Sequence, residues 1–180
     1  MVNKRSMRLL LQIAPALLVL TLAAGCQNKR TNIAGTFPIG GMADPWILEG
    51  TVWSGDPEQA AEGVGEDAEP WSAFEPQRVW LAVYRHDIRL RHTLVIRAWA
   101  FASQEQARQA YLHFQPNVPE PLKAGDEGCW TKDGVLVLWG RMVFDIFGRG
   151  PGRLASPEQA VYLWAFLEKR MPPDLPLNPE

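Results

Sequence analysis

Short stretches of β-branched and aromatic residues, each closed by glycine, proline or a charged turn, commit most of this chain to a sheet. Residues 78–85 alternate Val79, Leu81 and Val83 with Trp80, Ala82 and Tyr84, and 93–101 is rich in Val, Ile and aromatics. This predicts two strands joined around His86-Asp87. Residues 46–53 read as an earlier strand ended by Ser54-Gly55-Asp56. Asp133-Gly134 between 129–132 and 135–139 predicts a tight hairpin, and Gly140-Arg141 a further turn before a strand over 142–147. Only two windows carry helical spacing. Ala107, Ala110, Tyr111 and Phe114 follow Ser103-Gln104-Glu105-Gln106; Ala160, Leu163, Trp164 and Leu167 follow Ser156-Pro157-Glu158-Gln159 and end before Pro172-Pro173. Both openings have the form of a capping box, the second with proline at the first helical position. Pro116, Pro119 and Pro121 leave 115–128 as loop. The expected class is α+β: a mainly antiparallel sheet of five to six strands with two amphipathic helices on one face. The two helix openings nearly repeat each other, as a duplicated strand-strand-helix unit or two independent caps would.

The chain is one domain's worth of protein: 180 residues, 47% hydrophobic, with 18 Lys+Arg against 20 Asp+Glu. That composition excludes disorder and a nucleic-acid binder. At the start, Lys4, Arg5 and Arg8 precede an apolar run over 9–22, then Ala23-Ala24-Gly25 and Cys26. A basic region, a short apolar core and small residues are the parts of an export signal, and the run is too short to span a bilayer comfortably. With cysteine at the cleavage point, the segment resembles the lipobox of bacterial lipoproteins, with Ala23 where leucine is usual. The resemblance implies removal of residues 1–25, acylation (palmitate among the chains) of Cys26, and a place on a bacterial membrane facing the periplasm or exterior. Several acyl chains would hold the protein there durably. A plain signal peptide is the alternative.

The mature chain would then run from a tether over 26–44 into a single domain over 45–180. Within it, 55–77 holds seven acids and no Lys or Arg, which predicts a solvated insertion. Removing the three cations of the signal from 18 leaves 15 against the 20 acids, a formal −5. Nucleic acid and anionic lipid are disfavoured partners on that balance. Cys129 stands alone once Cys26 carries lipid, so no intramolecular disulfide forms.

From Val79 onward, the layout is similar to small extracytoplasmic sensor-like and LpqN-like lipoprotein domains of bacteria. The shared features are the helix opening Ser103-Gln104-Glu105-Gln106-Ala107, Gly125-Asp126-Glu127 before a strand, the Gly140-Arg141 turn and a closing amphipathic helix. The resemblance implies ligand sensing or an accessory role and carries over no catalytic residue.

Chemistry-bearing residues are few. Cys129 with His86, His92 or His113 would be needed for a nucleophilic dyad, but no local nucleophile signature surrounds it. The spacings of His86, Asp87, His92 and Cys129 match no zinc pattern. Gly125-Asp126-Glu127 with Asp133 lacks the alternation of a calcium loop and reads as a turn. The Gly148–Gly152 segment with Arg149 and Arg153 reads as a connector, with anion binding as the alternative. No metal and no cofactor is expected. Of eight tryptophans, Trp80, Trp99, Trp139 and Trp164 fall at core positions. Trp71 beside Phe74, and then Trp130, are the candidates for exposure and for contact with a partner or ligand, although Trp71 reads first as folding back to cap the domain. The expectation is a non-enzymatic, membrane-anchored envelope protein that binds a protein partner. An envelope glycan or small-ligand binder is the second reading and a Cys129-dependent enzyme the third.

Overall fold

Strand pairing follows the alternation of the sequence closely. In the computed structural model, which describes residues 33–60, 69–149 and 155–171, eight strands form one sheet: β1 (Trp46–Leu48), β2 (Trp53–Gly55), β3 (Arg78–His86), β4 (Thr93–Ala100), β5 (Glu120–Pro121), β6 (Glu127–Trp130), β7 (Gly134–Trp139) and β8 (Met142–Arg149). Their order is β1-β3-β4-β8-β7-β6-β5, with β2 also on β3, and every pairing is antiparallel. The helices are α1 (Glu69–Ser72), α2 (Gln104–Phe114) and α3 (Pro157–Glu168). The protein is α+β with a mainly antiparallel sheet. The count exceeds five to six because the first strand divides at Gly50, whose φ of 76° bends the chain, and because Glu120–Pro121 adds a two-residue edge to β6.

Side chains alternate across the sheet, and both faces are apolar at its centre. One face carries Trp80, Ala82 and Tyr84, then Leu94, Ile96 and Ala98, then Val135, Val137, Phe144 and Ile146. Ala160, Leu163, Trp164 and Leu167 of α3 close over it. The other face carries Val79, Trp99, Leu136, Leu138 and Val143, closed by Ala107, Ala110 and Tyr111 of α2. The two helices therefore cover opposite faces, where one shared face was expected. The reason lies in β7, whose Val135–Leu138 run is apolar on both sides and cannot be left bare on either. The same placement decides the near repeat. A two-fold axis relating the antiparallel neighbours β4 and β8 stands normal to the sheet and would keep the image of α2 on α2's own face, whereas α3 lies on the opposite one. The helix openings are thus two independent caps. Ser103 Oγ accepts from Gln106 N at 3.2 Å, and Gln159 Oε1 accepts from Ser156 N at 2.9 Å.

The expected tether over 26–44 is shorter than the sequence implied. Ile33–Thr36 form a 3₁₀ turn, and Ile33, Phe37 and Ala43 are buried in the α3-side core. Widely spaced apolar residues among glycines gave no periodic signal, yet all three join the core on that face, where Tyr84 Oη also donates to Pro38 O. The signal over 1–25, Cys26, the tether to residue 32, Gly150, Gly152, Arg153 and Pro172-Pro173 lie outside the described residues. So does 61–68 of the acidic insertion; in the rest of it Ala60 and Trp71 are buried, while the acids Asp56, Glu58 and Glu75 stay exposed.

Gly134 sets the tightest point of the sheet, since a Cβ there would lie 1.8 Å from the Ile146 carbonyl oxygen. At Gly140 a Cβ would meet nothing, and only its φ of 57° resists substitution. Urea unfolding is expected to show Gly134→Ala costing about 3 kcal/mol and Gly140→Ala about 1 kcal/mol. Equal costs would contradict the close approach of β7 and β8.

Candidate functional site

Two strands that are apolar almost throughout each carry one charge at mid-strand: Arg97 in β4 and Asp145 in β8. The register places them directly opposite each other on the α2 face. Arg97 donates to Asp145 Oδ2 from Nε at 3.1 Å and also from Nη2, with side-chain exposures of 10% and 14%. Two residues along β8, the Phe147 ring lies under the guanidinium at 4.4 Å. A pair this enclosed is costly to desolvate, so its members depend on each other more than they stabilise the fold.

Beside this pair the sheet is not covered by α2, and a cleft of about 500 Å³ opens. Its apolar wall is Trp71 and Phe114, stacked at 3.8 Å, with Leu136 beneath. Trp71 stacks at 5.0 Å on Trp99 as well, which fixes the wall to the sheet. Around the rim stand Thr131, Lys132 and Asp133 of the β6–β7 turn and Gly148 and Arg149 at the end of β8. With Arg97 matched by Asp145, the rim brings Lys132 and Arg149 against Asp133. The cleft thus presents a small excess of positive charge beside flat aromatic rings, in a chain whose formal charge is −2. Such a surface suits a ligand with an acidic group and a flat apolar body.

The residues singled out in the sequence fall in different places. Trp71 folds back onto the domain rather than standing at the surface: it is only 3% exposed, because its ring is taken up between Trp99 and Phe114. It still lines the cleft with part of its edge. Phe74 is half-buried beside His113 and Phe114. Trp130 is half-buried against the opposite, α3-side core, so it does not join Trp71 and Phe74 in one contact. Trp80, Trp99 and Trp164 are core as expected, and Trp139 packs half-buried against Trp164. Arg149, weighed with the Gly148–Gly152 anion loop, does reach the cleft. Arg97 and Asp145 were missed by the sequence reading. The signal was present: one charge, of opposite sign, in the middle of each of two largely apolar strands.

Cys129 is buried, and burial pushes its thiol above the ordinary value while the Tyr111 hydroxyl partly opposes that rise. His86 at the end of β3 lies four strand spacings from β6, about 19 Å across the sheet, and His92 just before β4 three, about 14 Å. His113 packs on Phe74 and Phe114. The acids before β6 are engaged within the protein, since Asp126 accepts from Gly140 N at 2.6 Å and Glu127 from Arg108 Nε at 2.8 Å. Among the described residues, no cluster of three His, Cys, Asp or Glu is placed to hold a metal ion. No family model, curated protein or solved structure matches the chain.

Arg97→Met is expected to cost about 3 kcal/mol, because it strands a nearly buried carboxylate. Arg97→Met with Asp145→Leu is expected to recover most of that loss. Urea midpoints of the two variants check the pairing, and an additive double variant would contradict it. The Cys129 thiol is expected to resist iodoacetamide in the folded protein at pH 8 and to react fully in urea.

Proposed function

We propose that this chain is a lipid-anchored, non-enzymatic protein of a bacterial cell envelope whose domain binds a small acidic ligand in the cleft over β4, β8 and β7. The observation that supports the binding role is the meeting of Trp71, Phe114 and Phe147 with Lys132 and Arg149 around one opening. The half-buried Phe114 and Phe147, held in place by Trp71 and Arg97, give apolar area at low entropic cost, and the cations select for an acidic group. The cleft stands on a stacked wall and a cross-strand ion pair, so little ordering is needed when the ligand arrives. An aromatic acid and an acidic sugar share the required chemistry.

The anchoring half of the reading rests on the sequence from Lys4 to Cys26. Among the described residues no helix is long and apolar enough to cross a membrane. Acylation is tested by metabolic labelling with palmitate, expected on the native chain and lost in Cys26→Ser. The protein-partner reading, with Trp71, Phe74 and Trp130 as one contact, has less support because those side chains are divided between the two faces of the sheet.

The binding half is tested by calorimetry with 2-naphthoate and its uncharged counterpart 2-naphthamide, alongside glucuronate as the sugar acid. Naphthoate or glucuronate is expected to bind and naphthamide to bind weakly. Lys132→Glu with Arg149→Glu is expected to weaken binding ten-fold or more, the loss of at least one charge-assisted contact. Equal affinity for the charged and neutral naphthalenes, or no effect of the double variant, would contradict an acid-selective cleft.

A further inference from the structure

The hairpin between β3 and β4 ends in Ile88-Arg89-Leu90-Arg91, where apolar and cationic residues alternate at a protruding tip. Ile88 is 83% exposed and Leu90 62%, far beyond the usual burial of such side chains. The exposure is built in by the backbone. His86 Nδ1 accepts from Ile88 N at 3.2 Å and from Arg89 N at 3.1 Å, and His92 N donates back to Arg89 O at 2.7 Å. Burial, with Arg89 and His92 nearby, holds the His86 imidazole below its ordinary value, which keeps Nδ1 an acceptor. The loop's polar backbone is thereby turned inward, and its apolar side chains have only the outside left.

More exposed apolar residues stand at the same corner. Asp87 N donates to Pro45 O, Tyr84 Oη donates to Pro38 O, and Ile47 lies opposite Arg85 in the β1–β3 register. These bonds bring the segment with Ile39, Met42 and Ile47, each near half exposed, against the hairpin end. Charge at the corner is mixed: Arg85 faces Glu49 at 3.8 Å, and Asp44 and Asp87 lie below the tip. At the tip itself, Ile88 stands between the exposed Asp87 and Arg89, and Leu90 between Arg89 and Arg91, which leaves a local excess of one positive charge.

We infer that the Ile88–Arg91 tip is a membrane-contact element, with Ile88 and Leu90 entering the acyl boundary and Arg89 and Arg91 at anionic lipid headgroups. A convex tip of alternating aliphatic and guanidinium groups matches the layering of a bilayer surface, apolar beneath and anionic above. It offers little of the broad complementary area that a protein partner requires. The formal −5 of the mature chain disfavours such lipid overall, but the headgroups meet only the local pair of arginines. The inference rests in part on acylation of Cys26, since the seven residues from there to Ile33 reach at most ~25 Å and keep the domain close to the bilayer.

The test uses the full lipidated chain in phosphatidylglycerol–phosphatidylcholine vesicles, with the fluorophore NBD on Leu90→Cys or, as control, Val118→Cys. Val118, 88% exposed, precedes β5 at the opposite edge of the sheet. Cys129 is buried and leaves the introduced thiol as the labelled one. The Leu90 probe is expected to shift to shorter wavelength and to be quenched by brominated lipid, while the Val118 probe stays water-like. Arg89→Glu with Arg91→Glu is expected to return the Leu90 probe to water while the protein still floats with the vesicles. Each arginine removed is expected to weaken vesicle association about five-fold. A water-like Leu90 probe on floating protein overturns the inference and leaves the anchor standing. Protein that fails to float removes the anchor; a Leu90 shift on added vesicles then still supports the tip, and its absence overturns it. A shift produced only by lipid-free envelope protein assigns the tip to a protein partner and also overturns it.

Discussion

The pairing of β4 with β8 is the constraint on which the other features depend. It sets the sheet's centre, where both faces are apolar, and it fixes Arg97 opposite Asp145. A guanidinium in that position is tolerable only with a carboxylate across the ladder, and a one-residue slip of either strand would turn its charge into the α3-side core and strand the other. The register is thus specified by charge as well as by apolar alternation. Because the pair occupies sheet surface that apolar side chains would otherwise fill, the α2 side is left with a polar floor and an open cleft.

Each face then does a different job. On the α3 side, Trp80, Phe144 and Trp164 join the segment over 33–43 in a continuous apolar core. On the α2 side, the core is smaller and ends at the stacked Trp71, Phe114 and Trp99. Of these rings the two tryptophans are buried, and Phe114, held rigid by the stack and partly exposed, is the one that borders the opening as a binding wall. The acidic segment between β2 and β3 contributes through Trp71 more than through its charge.

Much of the fold was legible because its signals are local. Helix starts at Ser103 and Ser156, the Gly140-Arg141 turn and the alternation in β3 act within a few residues and were read within one or two positions. The faces chosen by α2 and α3 were not legible, since a strand apolar on both sides, such as β7, does not say which helix covers which side. Trp71 was legible only as a choice between a surface contact and a ring folded back onto the domain: its seven neighbouring acids spoke for solvent, whereas one large ring with two aromatic partners outweighs that local signal. Ile33 and Phe37 were hidden by glycine-rich surroundings. The candidate site depends on the β4–β8 register, so Arg97 and Asp145, 48 positions apart, declared themselves only through their opposite charges.

The most direct measurement of the central claim is nuclear magnetic resonance of the full chain titrated with 2-naphthoate, following the tryptophan indole N–H signals and the Arg97 Nε–H. The account predicts that Trp71 and Arg97 shift in a saturable manner while Trp80 and Trp164, on the α3 face, stay in place. Shifts at Trp80 or Trp164 without movement at Trp71 would place the ligand elsewhere and contradict a cleft built on the β4–β8 ion pair.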